Sequence, residues 1–263
     1  MRGRLIVNAD DWGRDPRTTD MTAACIAAGA VSSVSAMVFM EDSERAAEIA
    51  RDRAIDAGLH LNFTTPFSSP AAATRLRERQ RATAAFLRSH RLAQIVFRPD
   101  LVRAFADIVA AQIDEYRRLY QREPARFDGH HHMHLCANVL LQRLLPSDTA
   151  VRRSFSFERG EKSCANRLYR RVVDGFLIRH HVVTDFFFSI APWHPPDRLA
   201  RVVRLSEQSV VELETHPADC GEYQFLMDGG LARTLGAEEI STRWDTQKPF
   251  RSAPTASGGI RPR

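Results

Sequence analysis

The sequence predicts an α/β fold, a parallel sheet covered by helices, on three observations. Short apolar runs alternate along the chain with segments of helical period. At 263 residues and 44% hydrophobic, the chain can bury a substantial core as one large domain. The residues with chemical potential stand where the apolar runs end, which is where barrel enzymes gather their sites. Strands are expected near 4–9, 33–38, 56–62, 126–129, 149–152, 182–185 and 209–214, and helices near 16–29, 42–54, 100–121, 136–145, 163–179 and 196–206. One domain over 1–244 is expected to precede a disordered tail at 245–263, where Ser, Pro, Gly and Arg occur without apolar periodicity.

Leu5-Ile6-Val7 is flanked by charge and reads as a buried parallel strand, ending in Asn8-Ala9-Asp10-Asp11-Trp12-Gly13 before a helix that starts near Pro16. Ile55-Asp56-Ala57-Gly58-Leu59-His60-Leu61-Asn62 is a second short strand with one histidine near its end. From Thr64 to Phe97 the chain turns rich in Ser, Pro, Ala and Arg, which reads as an insertion forming a mobile lid over a cleft. Within it, the run from Arg75 to Arg81 reads as a solvated helix face. Ala125-Arg126-Phe127-Asp128 is a strand bounded by Pro124 and Gly129. Val210-Val211-Glu212-Leu213-Glu214 is another, and Pro217 argues against a helix running through His216.

Three strand ends carry the chemistry. Asp128-Gly129-His130-His131-His132-Met133-His134 places four of the ten histidines within five positions, and unpartnered imidazoles rarely help a core. If the extended backbone continues, His130, His132 and His134 share one face, which is a metal-site geometry. A solvated histidine tract is the plain alternative. Asp10 and Asp11 project in different directions, so that one can bind a metal while the other faces a substrate. Taken alone the pair would also serve as a cap or turn, and His60 alone would read as a satisfied core histidine. Together the three strand ends offer Asp, His and His.

Ile6 to Gly13, Gly58-Leu59-His60-Leu61, Asp128 to His134 and Glu214-Thr215-His216-Pro217-Ala218 resemble, in order, the four motifs of the YdjC-like carbohydrate deacetylases, a group that includes chitooligosaccharide deacetylases. The resemblance runs from about residue 4 to about residue 230. It implies an irregular (β/α) barrel of parallel strands with outer helices, with fewer than eight strands allowed. It also implies Asp11, His60 and His130 as ligands of one divalent ion, Asp10 as catalytic base and His216 as catalytic acid. The sequence departs from the family in Trp12, where Phe is common, and in Gly129, where Ser is frequent. Neither change removes a ligand, but both lie beside the site and bear on the substrate.

Hydrolysis of an N-acetyl group needs a water nucleophile, stabilisation of a tetrahedral oxyanion and an acid for the departing amine, and these residue types supply all three. The expected activity is that of a carbohydrate N-deacetylase acting on an acetylated amino sugar or oligosaccharide. The mixed oxygen and nitrogen ligand set suits zinc or magnesium, with manganese, cobalt and nickel also compatible. Trp12, His132, His134 and Trp193 are expected to contact the substrate, with Phe63 and Phe67 as further aromatic surfaces. A non-catalytic metal-binding protein would explain His130 to His134 but not Asp10 or His216. A metallophosphoesterase commonly needs two metals and more carboxylates than these strand ends supply.

The net charge of +5 rests on 35 Arg and only Lys162 and Lys248, spread through the chain, so no nucleic-acid partner is expected. Cys25, Cys136, Cys164 and Cys220 form no close pair and read as free thiols in a reducing cytoplasm. No apolar segment approaches a signal sequence or membrane span, so no stable membrane insertion is expected. Without a heptad or an unmistakable apolar stripe the oligomeric state stays open, with a homodimer as the candidate assembly.

Overall fold

The structure, a computed structural model, describes residues 3–157, 162–193 and 197–235. Seven strands are all parallel: β1 (Arg4–Trp12), β2 (Ser33–Ala36), β3 (Asp56–Leu61), β4 (Arg126–Gly129), β5 (Ala150–Val151), β6 (Phe186–Ser189) and β7 (Val210–Thr215). Their order is β5-β4-β3-β2-β1-β7-β6. The sheet curls until its edges approach, for beyond β5 the Ser156 N–H donates to the Phe187 carbonyl of β6 at 2.8 Å. Phe187 N–H in turn donates to Ser156 Oγ at 3.1 Å. The expected irregular barrel is therefore built from seven strands and joined by few bonds at its seam.

Helices α1 (Pro16–Ala27), α2 (Ser43–Asp52), α3 (Thr74–Ser89), α4 (Val102–Tyr120), α5 (Ala137–Leu141), α6 (Cys164–His180), α7 (Arg198–Ser206), α8 (Cys220–Met227) and α9 (Gly230–Leu235) surround the sheet. Asp15 caps α1 by accepting from Thr18 N–H, and Pro16 at the first turn forfeits a donor that would have no partner there. The period of two along the strands sorts side chains into two layers. Leu5, Val7, Ala9, Val34, Ala36, Leu59, Leu61, Phe127, Val211 and Leu213 belong to the buried apolar core. Each contributes about 1.5–3 kcal/mol if large and fully buried.

The other layer fills the curled sheet with polar side chains. Asn8 Nδ2 donates to Asp10 Oδ1 and Ser35 Oγ, while Asn8 Oδ1 accepts from Ser33 Oγ and Arg126 Nη2. Gly58 makes room for that guanidinium, because a Cβ at this position would lie 2.6 Å from Arg126 Nε. Buried donors and acceptors must be paired to be tolerated, and here β1, β2 and β4 supply one another's partners.

Two expectations are corrected. The sixth strand lies at Phe186–Ser189 rather than 182–185; Val182 makes only an isolated bridge to Ala150. Asp185 is spent before the strand, its Oδ2 accepting from Val210 N–H, so the Phe run that follows pairs with β7. The 64–97 segment is a wall of the scaffold rather than a loose insertion. Its core is the 16-residue α3, whose buried side includes Gln80, Thr83, Ala84, Phe86 and Leu87. The preceding loop is tied down by amides: Gln80 Oε1 accepts from Phe67 N–H, Gln80 Nε2 and Asn62 Nδ2 both donate to the Thr65 carbonyl, and Gln112 Oε1 accepts from Asn62 N–H. α8 and α9, beyond the last expected helix, close the described chain. The expected tail at 245–263 lies outside the described residues. No helix among the described residues is long and apolar enough to cross a membrane.

Candidate active site

The site lies where β1, β3, β4 and β7 end. A bulge in β1 shapes it: Ala9 pairs with Val34 and Trp12 with Ala36, so β1 fits one more residue than β2 between these pairs. Asp11 absorbs the extra residue in a left-handed conformation, φ 65°. Alternation would send consecutive side chains to opposite faces. The bulge breaks alternation and brings both carboxylates near His60 Nε2, with Asp11 Oδ1 at 3.4 Å and Asp10 Oδ2 at 3.9 Å.

His60 and Asp128 are register partners on β3 and β4, and His60 Nδ1 lies 2.7 Å from Asp128 Oδ1. That contact fixes the ring and leaves Nε2 facing Asp11. Burial opposes a charge on His60, but Asp10, Asp128 and its hydrogen bonds raise it to about 10. The surroundings thus favour positive charge at this point. His130 enters from the end of β4, its Nδ1 2.9 Å from Asp11 Oδ1. Asp11 is buried, which would raise its pKa, yet the two imidazoles beside it hold it well below the ordinary carboxylate range.

Asp11, His60 and His130 each offer one donor atom, all within 4.8 Å of one another. Asp11 Oδ2 accepts from Arg14 Nη1 at 2.5 Å, whereas the buried Oδ1 accepts no hydrogen bond. Tetrahedral ligands at bonds of about 2.0–2.1 Å stand about 3.3 Å apart, close to the 2.9 and 3.4 Å separations here. An orphaned carboxylate oxygen between two imidazole nitrogens therefore fits a divalent cation.

Asp10 is balanced differently. Its two oxygens accept a bidentate pair from Arg152, both at 2.7 Å. Arg152 is fully buried, donates to Glu212 Oε1 at 2.8 Å and lies 3.2 Å from Asp128 Oδ2. Burial would raise Asp10, but the Arg152 and His60 charges together with the Arg152 hydrogen bonds keep the carboxyl below its ordinary value. On the far side, Asp10, Glu214 and His216 also bring donor atoms within 4.8 Å. His216 Nε2 lies 3.3 Å from Glu214 Oε1, and burial followed by the Asp10 charge pushes Glu214 well above the usual range. The His216 backbone N–H donates to Glu222 Oε2, and Thr215 Oγ1 donates to the same oxygen, so α8 anchors the end of β7.

The histidine run does not stay extended. His131 and His132 adopt left-handed conformations, φ 54° and 57°, each costing about 1–3 kcal/mol, and the chain coils back over Gly129. A Cβ at Gly129 would stand 3.0 Å from His134 N, so this close turn suits glycine. The expected shared face of His130, His132 and His134 is thus not formed. His131 Nδ1 meets Thr64 Oγ1 at 3.0 Å; His132 lies edge-on to Phe155, its Nε2 3.7 Å from Glu214; His134 is buried with Nε2 3.0 Å from the Arg152 carbonyl. His134 accordingly braces β5 and has no surface for a ligand.

Trp12 is likewise fully buried and donates its indole N–H to the Ala46 carbonyl at 3.1 Å. The bulge turns Asp11 into the cleft and leaves Trp12 in the core, with Phe63 and Phe67 also buried. Trp193 is 38% exposed, its ring 4.5 Å from Phe225, on the loop after β6. Sequence reasoning missed Arg14, Asp128, Arg152 and Glu214 as site groups. The alternation of charge with apolar residues in Arg126-Phe127-Asp128 and Glu212-Leu213-Glu214 was the available signal for two of them.

A family model described as YdjC-like protein matches residues 4–239. Proteins named carbohydrate deacetylase are similar in sequence. One from Homo sapiens is 34% identical over 146 residues, 52% of this chain and 43% of the relative. One from Mus musculus is 30% identical over 167 residues, 62% and 54% of the two chains. The chain spans about half the length of these curated relatives. A solved structure from Enterococcus faecalis V583, named as a candidate cellobiose-phosphate cleavage protein, matches with a TM-score of 0.65 at 18% identity, covering 91% of this chain and 96% of that chain. At that identity the likeness speaks to the fold.

Proposed function

Since the chain belongs to the YdjC-like family over residues 4–239, we propose that it is a metal-dependent hydrolase that removes an N-acetyl group from an acetylated amino sugar or oligosaccharide. The observation that carries this reading is the buried, unbonded Oδ1 of Asp11 facing His60 and His130. These three residues would hold one divalent ion, zinc or magnesium first, with manganese, cobalt or nickel also suited to the donor set. When bound, the ion supplies Lewis-acid polarisation of the acetyl carbonyl and acidifies a water.

Asp10 then accepts the proton from the attacking water. The bidentate pair from Arg152 keeps Asp10 ionised and fixes the position of its oxygens for that step. His216 delivers a proton to the departing nitrogen, with the Glu214 carboxyl 3.3 Å from its Nε2 to orient the ring. Trp193 and His132 flank the same end of the sheet and offer ring surfaces to the sugar. The names of the curated relatives support the carbohydrate class.

A screen of N-acetylated sugars for acetate release, run on metal-stripped protein reloaded with defined divalent ions, tests the reading. Acetate release that requires a loaded ion is expected; release of phosphate from sugar phosphates, with no acetate from any acetylated sugar, would overturn it. In the same assay, His216→Ala should slow amides far more than an activated aryl ester, whose leaving group needs no proton. Equal slowing of both would remove the acid role from His216.

A further inference from the structure

We infer that the face bearing the site carries a docking surface for an anionic lipid bilayer, formed by the connection between α3 and α4. Leu92, Ile95, Val96 and Phe97 are all exposed, Leu92 at 61%, although they stand within six consecutive residues. Exposed large apolar side chains scattered singly are ordinary; four together mark a contact surface. The cluster is held in shape. Arg98 N–H donates to Asn138 Oδ1 at 2.9 Å and its carbonyl accepts from Asn138 Nδ2 at 2.9 Å, clamping the connection to α5. Leu141, one turn beyond Asn138, is 65% exposed and adds to the same region.

Position follows from topology. α4 crosses back from the end of β3 to the start of β4, so its first turn, at Val102, lies at the face where the parallel strands end. His60 and His130 stand at the ends of those two strands, so the apolar cluster lies at the same end of the sheet as the site.

Charge selects the occupant. Residues 74–107 hold eight arginines against three acidic residues, an excess equal to the net +5 of the whole chain. Arg75, Arg81, Arg88, Arg91 and Arg103 are exposed. Apolar side chains flanked by guanidinium groups match a bilayer surface, where the former enter the acyl boundary and the latter meet anionic headgroups. A second copy of the chain would bring the two arginine-rich surfaces together and is disfavoured by repulsion. The surface contains no group used in the proposed reaction, so it stands or falls apart from deacetylation.

Sedimentation of the full chain with phosphatidylcholine vesicles, with and without phosphatidylglycerol, tests the inference without any substrate. Binding only to the anionic vesicles is expected, weakening as salt rises from about 0.1 M to about 1 M and the Debye length shrinks from about 10 Å to about 3 Å. Ile95→Glu combined with Phe97→Glu should lower the bound fraction on the order of tenfold, and so should the surface pair Arg88→Glu with Arg91→Glu, which leaves the apolar cluster in place. A wild-type protein that stays in solution with anionic vesicles would overturn the inference. So would undiminished binding in both variants, or a wild-type dimer in sedimentation velocity that the Ile95→Glu, Phe97→Glu protein loses.

Discussion

Around Asp10, two guanidinium bonds take up both carboxylate oxygens, and the same Arg152 also serves Glu212 and Asp128. Around Asp11, one step along the chain, Arg14 holds one oxygen while the other faces two imidazoles without a hydrogen bond. The first carboxylate has both oxygens taken up; the second keeps one oxygen open, where the proposed cation would sit. Adjacent residues of one type can therefore be given opposite tasks by what the strand geometry sets beside them. A saturated carboxylate can be held ionised at a fixed place, whereas an unsaturated one stores an affinity.

The sharpest way to break this contrast is Asp10→Asn. If Asp10 handles a proton and Asp11 holds the ion, this variant should slow deacetylation by roughly 10²–10⁴-fold while retaining its metal. Loss of the ion along with the activity would merge the two regions into one ligand set.

Arg152→Met addresses the closed region through stability. Breaking a buried charge network from one side commonly costs about 3–5 kcal/mol, because the charges left behind are uncompensated. Urea unfolding should read that loss near neutral pH. The sign with pH is set by Asp10 and Asp128, both held below the ordinary carboxylate value of 3.8. Their contribution is present above that value and fades as pH falls through their lowered folded-state values, so the gap between wild type and variant should narrow in acid. A gap that widens in acid would mean that Arg152 is not chiefly their counter-charge.

The smallest of the three effects concerns the open region. His60→Ala and His130→Ala should each weaken metal retention by roughly 10–100-fold or more, taking the loss of groups that merely support ligands as the lower guide. Elemental analysis after dialysis reads it directly. Unchanged metal content in both variants would remove the ligand assignment.

The strand ends were readable in the sequence because parallel strands buried on both faces are short and leave polar residues where they stop. Asp10, Asp11, His60, His130 and His216 stand at such ends, but singly each had an ordinary reading, and only their order along the chain and its resemblance to the four family motifs set them apart. What the sequence concealed depends on single backbone angles and on distant partners. Nothing local announces that His131 and His132 take left-handed φ, yet those two angles decide that only His130 reaches Asp11. Arg152 sits beside Arg153 with no distinguishing neighbour, and its role rests on Asp10, 142 residues away. The α3 helix was legible only as the solvated face from Arg75 to Arg81; its continuation to Ser89 was not, because the buried Thr83, Ala84 and Leu87 give little apolar rhythm.

The bulge in β1 has a genetic corollary. Between the pairs Ala9 with Val34 and Trp12 with Ala36, β2 has only Ser35 where β1 has Asp10 and Asp11. A chain one codon shorter at Asp11 would let Asp10 face Ser35 and keep Trp12 opposite Ala36, restoring an even ladder. Such a deletion would erase the carboxylate proposed to hold the cation while relieving the one left-handed residue of the strand. Here an in-frame deletion, ordinarily ruinous inside a β-strand, is the lesion that regular pairing would favour.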